Sequence, residues 1–191
     1  GKVHELSSEY ISTLKLKTKS GVTEYGMPTL AEALDLCKGR VLINIDKGYN
    51  YYDQILELLT KRDMVEQVVI KSSYDAAVVA EKFAPYSKNM LYMPVINYME
   101  KRWDKHSDIF ESYINSQLPV IAYEICWDGT LKGEREIFGR VLASGARLWV
   151  NTLWSSICGG EKHSFEDNRA LNGNEDKIYG TAHNSVLQIP G

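Results

Sequence analysis

The chain has 191 residues, a formal net charge of −3 at pH 7 and 44% hydrophobic residues. That composition supports a sizeable core, and the mild acidity gives no net-charge case for nucleic acid or an anionic membrane surface. No run of 18 apolar residues occurs, so no transmembrane helix is expected, and Cys37, Cys126 and Cys158 lack the spacing of a zinc site and read as reduced thiols.

Ser7 and Ser8 are candidate caps for a short helix over 9–14, and residues 15–23 alternate weakly around a Lys-Ser-Gly turn without reading as a buried strand. Thr29 is placed to cap a helix over 30–38 that stops at Gly39. A regular alternation follows. Apolar runs over 41–46, 67–71, 90–96, 119–124 and 147–151 read as buried parallel strands, with helices over 51–61, 75–84, 107–116 and 133–143 between them. A polar stretch over 155–177 precedes a last apolar run over 186–189. Six strands at about 25-residue spacing, with no linker, predict a single α/β domain over 1–191, either an open doubly wound sheet or a (β/α)8 barrel. Neither GxGxxG nor a P-loop is present.

Residues two apart on a strand share a face. Asn44 and Asp46, Val69 and Lys71, Ala122 and Glu124, and Trp149 and Asn151 are such pairs, so the carboxyl ends would offer Asn44, Asp46, Lys71, Glu124, Asn151 and Gln188 to one mouth. Two carboxylates and an ammonium there suit a divalent cation plus a phosphate or another anion. Tyr49, Tyr51 and Tyr52 could line the rim of a pocket or pack the top of the following helix. The loop after 147–151 carries Trp154, His163, Asp167, Asn168 and Arg169, a set suited to closing over a substrate. His4, His106 and His183 have no acidic or cysteine partner at recognisable spacing and read as surface histidines.

Met27-Pro28-Thr29-Leu30-Ala31-Glu32-Ala33-Leu34, followed by Val41-Leu42-Ile43-Asn44-Ile45-Asp46-Lys47, resembles the glycerophosphodiester phosphodiesterase family. That family reads "PTLEE(A/V)L", a short gap and "LLNIEIK". Val69-Ile70-Lys71-Ser72 and Trp149-Val150-Asn151-Thr152-Leu153-Trp154 are further similarities, so the resemblance runs from about residue 22 to residue 189. It implies a TIM barrel and metal-assisted hydrolysis of glycerophosphodiesters to glycerol 3-phosphate and an alcohol, with Mg²⁺ or Ca²⁺ holding the phosphate. Asp46 falls at a metal-binding glutamate of the family, and Asn44, Lys71, Glu124 and Trp154 would line the substrate site. The family lysine falls on Gly48, with Lys47 beside it but on the other face of a regular strand.

The family's His-Arg-Gly and Asp-x-His-Asp segments, which supply both catalytic histidines, have no counterpart among these residues. No catalytic residue is therefore assigned. The expectation is an N-terminally truncated barrel with about six of eight βα units, short of the about 250 residues usual for the fold. Open sheet edges in such a piece would favour homo-oligomers. The resemblance also implies a periplasmic or secreted protein. A non-catalytic, anion-binding or partner-completed remnant is the alternative function, and an unrelated doubly wound sheet the alternative fold.

Overall fold

Ser7 has extended backbone and its side chain accepts the Tyr10 N–H, which starts α1 (Ser8–Thr13). The computed structural model describes residues 3–18, 20–86, 89–127 and 131–151. Two strands, β1 (Lys15–Thr18) and β2 (Gly21–Gly26), pair antiparallel as a largely exposed ribbon, in keeping with a segment that buries no face. Thr29 and Glu32 then form a reciprocal capping box at the start of α2 (Leu30–Cys37). The Thr29 hydroxyl accepts the Glu32 N–H at 3.2 Å, and the Glu32 carboxylate accepts the Thr29 N–H at 2.7 Å. These elements, up to Val41, form one compact unit, and a second begins at Leu42.

The second unit is built on five parallel strands: β3 (Ile43–Ile45), β4 (Val68–Ser72), β5 (Leu91–Tyr98), β6 (Ala122–Trp127) and β7 (Arg147–Asn151). Their order in the sheet is their order in the chain. α3 (Tyr52–Thr60), α4 (Ala76–Phe83), α5 (Trp103–Ile114) and α6 (Glu134–Ala143) alternate with them. A doubly wound sheet reverses its order at a switch point. No reversal occurs among the described strands, an order compatible with part of a barrel. The run at 186–189 lies outside the described residues.

Three boundaries differ from the sequence reading. The strand expected over 119–124 lies at Ala122–Trp127, so Glu124 falls inside it and not at its end. The strand expected over 41–46 pairs only at Ile43–Ile45, and Val41 and Leu42 are exposed. β3 has one neighbour among the described strands, β4. The helix expected over 107–116 begins four residues earlier, at Trp103, whose ring packs edge-on against Tyr98 with centroids 4.7 Å apart. That aromatic contact anchors a first turn that hydropathy alone leaves polar.

Paired residues of a parallel ladder share a face. The register sets Asn44 beside Val69, Lys71 beside Met93, Val95 beside Glu124, and Glu124 beside Trp149. One face therefore carries a packed apolar layer of Val69, Met93 and Ala122, with Trp149 against it, and above it the charged residues. The opposite face packs aromatics against the helices. Tyr52 stacks on Phe83, Tyr92 on Tyr113, and Phe110 meets Tyr123 edge-on. The hydroxyls on this face are satisfied in a chain. Ser72 Oγ and Tyr92 OH lie 2.7 Å apart, Tyr92 and Tyr113 share a bond of 2.8 Å, and Tyr113 donates to the Tyr74 carbonyl at 2.8 Å.

The β5–β6 ladder is irregular across Pro94. Tyr92 bridges Val120, whereas Val95 pairs with Glu124, so three steps along one strand oppose four along the other. The extra residue is a bulge beside a proline that has no N–H to contribute.

Candidate functional site

Lys71 is the hinge of the charged face. Its ammonium donates to the Glu124 carboxylate at 2.8 Å and lies 3.3 Å from Asp46. Glu124 and Lys71 are largely removed from water, with side chains 3% and 15% exposed, while Asp46 is 68% exposed. Burial favours the neutral amine of Lys71, but the bond to Glu124 and the charges of Glu124 and Asp46 outweigh it and hold its pKa above the ordinary value. The lysine is therefore a fixed cation at neutral pH and not a free amine nucleophile. It ends a cleft of about 370 Å³ lined by Asp46, Lys47, Tyr49, Lys71, Ser72 and Tyr74 among others, with Glu124 and Cys126 on its β6 wall.

The chain leaves β3 in a way that adds a second cation. Lys47 adopts a left-handed conformation (φ 57°), which breaks the strand alternation and brings it into the cleft lining. Gly48 follows because nothing larger fits. A Cβ there would sit 2.7 Å from Ile70 Cδ1 and 2.9 Å from Ile45 Cγ2. A lysine at position 48 would have no room, and the second lysine of the cleft lining is Lys47. The Lys-Gly pair after a strand is the sequence signal of this turn.

Of the candidates read from the sequence, Asp46, Lys71 and Glu124 come together. Asn44 lies one layer deeper on the same face, is exposed and does not line the cleft. Trp154, Gln188 and the loop residues His163, Asp167, Asn168 and Arg169 lie outside the described residues, as do Cys158 and His183. The tyrosines divide between the two roles considered for them. Tyr49 lines the cleft, where burial pushes its hydroxyl up to about 12, whereas Tyr52 is fully buried against Phe83. Tyr51 is exposed. Cys126 is a buried free thiol whose pKa burial, with Glu124 nearby, raises to about 12, so it is no thiolate nucleophile at neutral pH.

His106 corrects an expectation. It is buried, not a surface residue, and its Nε2 lies 3.1 Å from the Asn97 amide nitrogen. Its placement follows from the earlier start of α5, which turns residue 106 into the sheet. Burial, with Lys105 and Arg102 nearby, lowers its pKa.

The arrangement defines an α/β protein with a sequentially ordered parallel sheet and a cleft in which one lysine near the end of β4 joins a carboxylate just after β3 to another inside β6. Residues 92–189, just over half of the chain, match the model of a family described as a domain of unknown function, DUF4996, and the chain belongs to that family. No curated protein matches it. The matched region opens within β5 and contains Glu124 and His106, whereas Asp46 and Lys71 precede it.

Proposed function

We propose that this sheet is part of a (β/α)8-type barrel of the glycerophosphodiester phosphodiesterase kind, and that its cleft binds the phosphate of a glycerophosphodiester together with a divalent cation. The observation that carries this reading is the convergence in one cleft of Asp46, just after β3, Lys71, near the end of β4, and Glu124, inside β6, on one face of an ordered parallel sheet. Asp46 fits the role of an oxygen ligand, being largely exposed and ion-paired with Lys71 among the described residues. Mg²⁺ or Ca²⁺ held there would supply charge neutralisation at the phosphate. Lys47 and Lys71 present two ammonium groups to the phosphate oxygens, and Glu124 fixes the Lys71 ammonium from behind. Hydrolysis breaks one P–O bond and forms another to a water oxygen. The departing alcohol oxygen takes a proton, and the histidines to which the resemblance assigns that proton transfer are not among these residues.

A second reading is non-catalytic anion binding, in this chain alone or in a barrel completed by a partner or second copy. It is favoured by the position of the Lys71 ammonium, which already contacts both carboxylates and offsets one of their two charges. Calorimetric titration of sn-glycerol 3-phosphate, with and without Ca²⁺ or Mg²⁺, separates the two. Cation-dependent binding that Asp46→Ala abolishes, with measurable release of choline from glycerophosphocholine, supports the phosphodiesterase reading. Cation-independent binding without turnover supports the second, and no binding in either condition refutes both.

A further inference from the structure

Beyond the cleft, the turn from β5 into α5 forms a second pocket of about 360 Å³, lined by Lys101, Arg102, Asp104, Lys105 and His106. Three cations and one carboxylate line it, an excess of two positive charges before the histidine is counted. Among the described residues Lys101, Arg102 and Lys105 form no ion pair. Arg102 occupies the N-cap of the twelve-residue α5 and provides no side-chain cap, so the positive end of the helix is left open beside these cations.

The second observation comes from inside the pocket wall. His106 is 7% exposed, and its Nδ1 is buried with no hydrogen-bond partner among the described residues. The Asn97 amide nitrogen donates to Nε2, so the proton of the neutral ring resides on Nδ1. A buried N–H without an acceptor is costly, and it calls for an oxygen. Lysines, arginine, an open helix start and an imidazole N–H together make the donor set of an oxyanion site.

We propose that this pocket is a binding site for a phosphate dianion, as inorganic phosphate or as the phosphoryl group of a monoester, separate from the Asp46–Lys71–Glu124 cleft. Arg102 and Lys105 form the charged bonds, and His106 Nδ1–H supplies the directional one. Asp104 disfavours a third negative charge and sets the limit on what the pocket accepts. The whole site lies within the region shared with the family of unknown function. It does not depend on hydrolysis at the cleft.

The test is NMR titration of the ¹⁵N-labelled protein with inorganic phosphate, following the imidazole resonances of His106, repeated with sn-glycerol 3-phosphate. The expected result is a saturable shift at His106 Nδ1–H, with affinity falling about tenfold or more in Arg102→Gln and in Lys105→Gln, each the loss of one charge-assisted bond. Arg102 is the N-cap residue and Lys105 lies in the first turn of α5, and each substitution removes a pocket-lining charge while keeping a polar side chain. Tighter binding of glycerol 3-phosphate than of phosphate assigns the site to an ester, and equal affinity assigns it to the free ion. No shift at His106, or binding unchanged in both variants, overturns the proposal. Binding lost in Lys71→Gln but kept in Arg102→Gln places the anion in the cleft, which overturns this site and leaves the reading of the cleft standing.

Discussion

Replacing Lys71 with methionine removes the ammonium from a carboxylate that stays buried. The stem of the side chain is kept, so packing changes little and the charge is the perturbation. At 2.8 Å and an effective dielectric of about 20, the Lys71–Glu124 attraction is about 6 kcal/mol, most of it offset by the cost of desolvating both groups. Removing one partner of such a pair costs about 3–5 kcal/mol, against a total stability of about 5–15 kcal/mol for a domain. The Glu124 side chain is only 3% exposed, so the charge left behind is poorly hydrated. With a urea m-value of about 2 kcal/mol per molar, the unfolding midpoint falls by about 2 M. Circular dichroism at 222 nm across a urea series at pH 7 reads this directly. The double variant Lys71→Met, Glu124→Leu removes the buried charge altogether and should recover most of the loss, to within about 1 kcal/mol of the parent. A loss below about 1 kcal/mol in Lys71→Met, or no recovery in the double variant, refutes the reasoning that this pair is a desolvated unit.

Gly48→Ala should cost about 1–3 kcal/mol in the same urea assay, since the new Cβ overlaps buried Ile70 and Ile45. A neutral result would mean that the turn after β3 yields freely. The lowered pKa of His106 makes the folded state bind fewer protons than the unfolded one. Its contribution is therefore present above the ordinary value of 6.5 and lost as pH falls from there towards the folded pKa, so the melting temperature should drop between pH 7.5 and 5.5. Phosphate in the basic pocket should reduce that drop. Lys71 acts at the other end of the scale. Its folded pKa is raised, so its contribution is complete below the ordinary value of 10.5 and lost as pH climbs through the folded pKa. Flat stability from pH 9 to 12 would contradict it.

Much of the sheet is legible because its strands are short, largely apolar runs separated by helical stretches, and Asp46, Lys71 and Glu124 follow from period-two alternation applied to three of those runs. The alternation fails where the backbone leaves ideal geometry. Lys47 enters the cleft through a positive φ that no periodicity encodes. His106 reads as exposed because its burial depends on Asn97, nine residues away on a strand, and on a helix start that Trp103 secures by packing against Tyr98. A reading that places the helix start at 107 leaves His106 in a loop. Val41 and Leu42 err in the opposite direction: both are apolar and read as strand, yet both are exposed and precede β3.

The bulge opposite Pro94 decides which amino acid type the cleft contains. Had the ladder continued from the Tyr92–Val120 bridge in simple register, Val95 would stand beside Tyr123, and the side chain directed at Lys71 would be a phenol. The one-residue slip exchanges odd for even positions and delivers Glu124 instead. Chemistry at this cleft is thus set by a counting device: a ring nitrogen without hydrogen on one strand selects acid over aromatic on the next. A chain edited at Pro94 could keep every cleft residue and still present the wrong one.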